Sequence, residues 1–304
     1  MQGDYSEKNS AEIKDIEWMT KILCIGRYKK PSNAFLRTLS FETLGCAVER
    51  IDLDFNFSSP NIFFRILRRV IFQPIRIKYL VKKIGKKIID FDPQIVFVEK
   101  GNDFNSHDLK FFKASMSSKS KIVHLNPDDP FGAFTKGWKK FVSSISYYDV
   151  HFVPKELNKG DYLKLSAKNV FVYDRSFEPN YHKPITLTES EKQHFACDIG
   201  FIGTYAEQRE SFLNALVAKD FKILIWGDGW SKGRHWSRLK HYWRGGTQTG
   251  TDYIKAINGM KIALHFVRHE NRDLQDSRTF EIPACGSFML AERTSDHERL
   301  FTEN

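Results

Sequence analysis

Short apolar runs recur along this chain with stretches of helical spacing between them. That alternation restricts the fold more than any single residue does. The runs at 21–26, 48–53, 94–99, 121–125, 149–153 and 169–173 have strand length and are rich in Ile, Val and Phe. Helical spacing falls between them, as at 31–45 and 155–167. A β–α–β order makes a parallel sheet with helices on both faces. The pattern lapses at 174–195, where Pro179, Pro184 and mixed charges leave no period, so an interdomain connection is expected there. It resumes with strand runs at 197–203, 221–226, 261–265 and 287–291 and a short helix at 250–258. The expectation is an α/β chain of two Rossmann-like domains facing each other across a cleft. The first would span 21–180, a linker 181–196 and the second 197–304, with ligands at the carboxyl ends of the strands.

Composition narrows the class. A chain of 304 residues is long enough for two cores, and 41% hydrophobic with 28% charged residues is globular. No run of 18 apolar residues exists, so no membrane span is expected. Residues 1–20 are polar, unlike a signal peptide, and are expected to be disordered. Cys24, Cys46, Cys197 and Cys285 are scattered without paired spacing and read as free thiols of a reducing, cytoplasmic compartment. The formal charge of +10 favours an anionic partner. Residues 62–88 concentrate it, with Arg65, Arg68, Arg69, Arg76, Lys78, Lys82, Lys83, Lys86 and Lys87 and no acid. Pro74 is expected to divide this stretch into two helical pieces. In the second, Ile77, Leu80, Val81, Ile84 and Ile88 fall on one apolar stripe. Two readings stand: an amphipathic helix on an anionic bilayer, or a helix packed on the sheet with a solvated basic face. No zinc-ligand, helix-turn-helix or RNA-binding aromatic motif supports nucleic acid.

The loops after the strands carry the polar chemistry. Gly26 alone is weak evidence for phosphate binding. Asp52-Leu-Asp54 and Asp90-Phe-Asp92 have metal-binding spacing, but one closes a strand, the other precedes Pro93, and no ligand cluster is near. Asn126-Pro-Asp-Asp-Pro130 is an acid-rich loop stiffened by two prolines. Asp128 and Asp129 there either face the cleft or cap the turn. Gly203 and Thr204 end a strand, and Arg209 falls early in the next helix, an arrangement suited to phosphate. Between 231 and 250 lies a basic, aromatic stretch, including Trp236, Tyr242 and Trp243. Its rings can stack on a nucleotide base, grip an acceptor or cover the core.

Residues 272–292 are the most informative. A charged loop leads to a short helix with Arg278, Phe280 and Glu281. It stops at Cys285-Gly286, where glycine suits a left-handed position, and a buried strand comes next. A carboxylate and an arginine are thereby set beside a crevice. A ribose diol wants the first and a diphosphate the second.

The run Arg-Thr-Phe-Glu-Ile-Pro-Ala-Cys-Gly resembles the C-terminal signature of GT-B glycosyltransferases, closest to the CgeB or spore-maturation-like members. The resemblance implies that Glu281 binds the nucleotide ribose and that Arg278 or Arg209 faces the diphosphate. Eight residues earlier the family carries a second Glu; here Asp273, one methylene shorter, stands in its place. His124 matches a histidine that related enzymes hold near the donor sugar, and Asp128 or Asp129 would orient the acceptor or donor sugar. The activity so implied is that of a nucleotide-sugar-dependent glycosyltransferase of glycan or cell-envelope biosynthesis, retaining, needing neither metal nor cofactor. Its acceptor is a glycan, a lipid-linked group or a protein, and the enzyme is cytoplasmic, with the inner membrane face as an option. Members of the family continue past the point where residue 304 falls, so a truncated chain is expected. Two alternatives belong to other classes: a catalytically degenerate GT-B binding protein, with Asp273 marking lost catalysis, and a basic peripheral membrane or nucleic-acid scaffold led by 62–88.

Overall fold

The computed structural model describes residues 19–29, 32–54, 67, 71–133, 135–219 and 221–302. Nearly all of the N-terminal segment read as disordered, and most of 62–70, lie outside them.

Among the described residues, ten strands form two all-parallel sheets. The first contains β1 (Lys21–Gly26), β2 (Ala47–Asp52), β3 (Ile95–Glu99), β4 (Lys121–Leu125), β5 (Val150–Val153) and β6 (Val170–Val172), in the order β2-β1-β3-β4-β5-β6. The second contains β7 (Cys197–Ile202), β8 (Ile223–Trp226), β9 (Met260–His265) and β10 (Phe288–Ala291), in the order β10-β9-β7-β8. Each order reverses beside its first strand, and at such reversals crossovers leave on opposite faces and open a crevice. The helices of the first half are α1 (Asn33–Thr43), α2 (Gln73–Phe91), α3 (Ser106–Ala114), α4 (Lys139–Val142) and α5 (Glu156–Lys164). Those of the second are α6 (Glu189–Phe195), α7 (Glu207–Leu216), α8 (Trp236–Leu239), α9 (Gly250–Asn258), α10 (Arg278–Ala284) and α11 (Ser295–Leu300).

The apolar strands bury as their sequence demands. Leu23, Ile25, Val96, Val98 and Ile122 face α2, α3 and the 131–148 segment in one core, while Ile22, Cys24 and Phe97 face α1 across the sheet. In the second half Leu224, Trp226 and Ala263 pack against α9 and α10, and Phe201, Ile223 and Ile225 against α7 and Trp230.

Pro74 sits at the start of α2, where a first-turn proline gives up no helical hydrogen bond; the helical piece expected before it lies almost wholly outside the described residues. The segment after β4 forms two 3₁₀ turns around the four-residue α4. Two local expectations change. The connection 174–195 ends in α6, which a reciprocal Thr188–Glu191 capping box starts. Finally, β10 is an edge strand, and Phe288 and Leu290 on one of its faces stay exposed. The expected glycine stop is present: Gly286 comes after α10 at φ 78°.

Candidate functional site

The loops at the carboxyl ends of both sheets meet around a cavity of roughly 350 Å³. From the first half come Ser32 and Asn33 at the start of α1, and Asp128 after β4. The connection supplies Arg175, Tyr181 and His182. From the second half come Gln248, Thr249, Gly250 and Tyr253 around the start of α9, and the run from Arg268 to Glu281 after β9.

Glu281 lies at the floor. Its side chain is almost wholly buried. Tyr253 donates its hydroxyl hydrogen to Oε2, and Asn33 Nδ2 donates to Oε1 at 3.1 Å and to Ser277 Oγ at 2.9 Å. His182 accepts the Glu178 N–H on Nδ1 at 3.0 Å, which puts its ring hydrogen on Nε2, 3.6 Å from Glu281 Oε1. A carboxylate has about four lone-pair directions, so two further donors can still be received. Burial, and then the Glu281 charge, push the Tyr253 hydroxyl well above its ordinary pKa, so it stays a donor.

Cations surround the rest of the cavity. Arg278 approaches Asp276 at 3.5 Å, and its Nε is buried without a partner. Arg175 donates to the Pro127 carbonyl, and its Nε is likewise unpartnered, as is the buried Tyr181 hydroxyl. Arg268 is exposed and forms no ion pair among the described residues. Buried donors without acceptors are rare in folded chains; here the residues that carry three of them line one cavity. The acids are each balanced. Burial raises Asp128, but Lys100, 2.8 Å away, and the Arg175 and Arg268 charges outweigh it and hold its carboxyl below the ordinary value. Burial also raises Asp276, and the His265 and Arg278 charges overcome it.

The other residues named from the sequence have more varied positions. Asp273 lines the cavity, but its carboxylate pairs with Lys155 at 2.8 Å, both side chains being 4% exposed. Burial dominates that pair, raising the carboxyl pKa and lowering that of the ammonium. Asp129 turns away from the cavity. It takes two hydrogen bonds from Arg272, at 2.5 and 2.9 Å, and one from Asn158, while Arg272 also reaches Asp161 at 2.9 Å. With Lys155–Asp273, this makes a latch through which the 271–273 loop of the second half grips the first. His124 is fully buried in the first core. Its Nδ1 is 3.0 Å from Nδ1 of His151, and its ring stacks on Phe141. It does not line the cavity and cannot touch a ligand there.

Arg209, on α7, is buried and donates to the carbonyls of Thr204, Phe266 and Val267. Burial and the nearby Arg278 charge lower its pKa. It braces the strand end that leads to Arg268. Gly203 and Thr204 stand next to it, outside the cavity lining. Gly203 has its own constraint: Gly227, at φ 135°, packs so close that a Cβ there would fall 1.9 Å from the Gly203 carbonyl oxygen. The aromatics of 231–250 cover the core: Trp236, Tyr242 and Trp243 pack on it, and Trp243 Nε1 donates to the Gly227 carbonyl. Asn33, Arg175, His182, Tyr253 and Arg268 were not foreseen. They meet only because two sheets bring their strand ends together.

Residues 208–304, which include Arg209, Arg278 and Glu281, match the family described as "Glycosyl transferase-like". No curated protein matches the sequence. Among solved structures, the chain is similar to a putative UDP-N-acetylglucosamine 2-epimerase from Listeria monocytogenes, at 10% identity and a TM-score of 0.54, over 92% of this chain and 81% of that one. It is similar also to UDP-GlcNAc 2-epimerase from Methanocaldococcus jannaschii, at 11% identity and a TM-score of 0.51, over 93% and 86% of the two chains. The fold is GT-B, with two Rossmann-like domains across a cleft.

Proposed function

We propose that this chain is a glycosyltransferase that binds a nucleoside diphosphate-sugar in the cleft and passes the sugar to an acceptor held by the first domain. The observation that carries the reading is the pairing, in one cavity, of a buried carboxylate with spare acceptor capacity and arginines with unpartnered buried N–H groups. Glu281 receives the ribose hydroxyls. Arg278, Arg175 and Arg268 receive the diphosphate. The match of 208–304 to a glycosyl transferase-like family supports the same assignment.

The chemistry breaks the bond between the anomeric carbon and the diphosphate oxygen. An acceptor oxygen takes its place, and the acceptor proton leaves with the departing diphosphate. Charge grows on that diphosphate in the transition state. Fixed cations in the cleft stabilise it more there than in the bound donor, which lowers the barrier. With an acceptor on the same face as the leaving group, the configuration is retained. Asp128, ionised and held by Lys100, sits between the donor cavity and an adjoining one of roughly 290 Å³ lined by Arg27, Glu99, Lys100, Asn102 and Asp103. Ser32 and Asn33 line both cavities, so we assign the second to the acceptor and Asp128 to orienting a sugar hydroxyl. Glu99 and Asp103 there are paired with Arg37 and Arg27.

A second reading, a binding protein without turnover, draws on the latch: Asp129 and Asp273 are both committed to cations. The two separate in one experiment. A thermal-shift screen of UDP-, GDP-, ADP-, CMP- and dTDP-sugars identifies the donor, since a ligand bound only by the fold raises the melting temperature. Release of the free nucleoside diphosphate is then monitored over time. Stabilisation with release supports the transferase. Stabilisation without release supports the binding protein. No stabilisation by any of them rejects the nucleotide site.

A further inference from the structure

The helix α2 uses its apolar stripe on the inside. Ile77, Leu80, Ile84 and Ile88 are buried in the first core with Val81 packed beside them. The stripe therefore cannot also lie on a bilayer. On the opposite side a second apolar set stands in water: Phe72 is 48% exposed, Ile75 62% and Tyr79 64%. Their spacing of three and four residues puts them on one line along the helix. The line continues with Lys82 and Lys86, and Lys78 and Lys83 flank it, all four exposed. Lys78, Lys82 and Lys83 form no ion pair among the described residues. Asp90, in the last turn, is the only acid of the helix and is held by Lys86 at 2.8 Å.

We propose that this outer face of α2, Phe72, Ile75 and Tyr79 with Lys78, Lys82, Lys83 and Lys86, docks the protein on an anionic bilayer surface. Aromatic and aliphatic side chains enter the headgroup boundary at the N-terminal half, while the lysines of the C-terminal half meet lipid phosphates. Charge chooses the occupant. A second copy of the same face would bring like charges together, in a chain of formal charge +10. The exposed cations are all lysines, point charges on flexible stems that suit a diffuse surface potential; a protein carboxylate is better matched by the planar fork of arginine. The face lies outside the donor cavity and stands or falls independently of the function proposed above.

The test is co-sedimentation with phosphatidylglycerol-containing vesicles and with pure phosphatidylcholine vesicles. Binding to the first only, weakened by salt, is expected. Each lysine contributes about fivefold in affinity, so K78Q/K82Q/K83Q should lose about a hundredfold. A second variant, I75S/Y79S, should lose about tenfold or more while melting like the parent, since both positions are exposed. Failure of the parent to bind anionic vesicles overturns the proposal. So does a lysine variant or a folded I75S/Y79S protein that binds like the parent. A parent that ignores vesicles but is retained by polyglutamate assigns the face to an acidic protein and also overturns it.

Discussion

The latch between the halves makes a prediction whose size comes from burial. Lys155 and Asp273 are each 4% exposed and 2.8 Å apart. Removing one charge leaves the other in the protein interior, which typically costs 3–5 kcal/mol, about the loss expected for Asp273→Leu. Lys155→Met should cost less, about 2 kcal/mol, because Asn271 Nδ2 still donates to the Asp273 carboxylate at 2.7 Å. Replacing both, Lys155→Met with Asp273→Leu, should return the protein to within about 1 kcal/mol of the parent, since a buried ion pair seldom outperforms apolar side chains of similar volume. Urea unfolding monitored by tryptophan fluorescence reads all four proteins. A loss of 3–5 kcal/mol moves the midpoint by about 1 M or more. Single losses that simply add, to within about 0.5 kcal/mol, would refute a water-excluded pair and with it the latch.

Two further outcomes concern single residues. Gly227→Ala should destabilise by on the order of 3 kcal/mol or more, because its φ of 135° and the 1.9 Å approach to the Gly203 carbonyl leave no room for a Cβ; soluble yield and the urea midpoint check it, and a parent-like midpoint contradicts it. Burial lowers His151 to about 4, below its ordinary value, so the fold holds it neutral while the unfolded chain protonates; stability should fall as pH drops from about 6.5 towards 4, by up to about 3 kcal/mol for this ring, and His151→Gln should flatten that part of a urea-midpoint profile.

Much of the fold was legible because burial on both faces writes itself into sequence as short apolar runs. The strands of 21–26 and 121–125 and the stripe of α2 could be read that way. The place of Glu281 beside a cavity was legible because the helix carrying it, its glycine stop and the strand after it are contiguous. Its partners were not. Asn33 reaches Glu281 from the far domain, and Tyr253 from another helix, so no local pattern contains them. His124 shows a different limit. It shares a strand face with Ile122, two residues earlier, and Ile122 is in the core; strand alternation sends both side chains inward. The acid-rich loop divided similarly: Asp128 faces the cavity while its neighbour Asp129 faces Arg272 and Asn158. Which way each aspartate points depends on a loop about 140 residues downstream in the other domain.

The central claim is that Glu281 holds the donor ribose. Calorimetry with the parent and Glu281→Gln, each titrated with the cognate nucleoside diphosphate and its 2′,3′-dideoxy form, measures it as a double-mutant cycle. The substitution should weaken binding of the natural nucleotide by about ten- to a hundredfold, or about 1.5–3 kcal/mol, and leave that of the dideoxy form nearly unchanged. Equal losses for both nucleotides, with no coupling between the carboxylate and the hydroxyls, would contradict the assignment of this cavity to the donor.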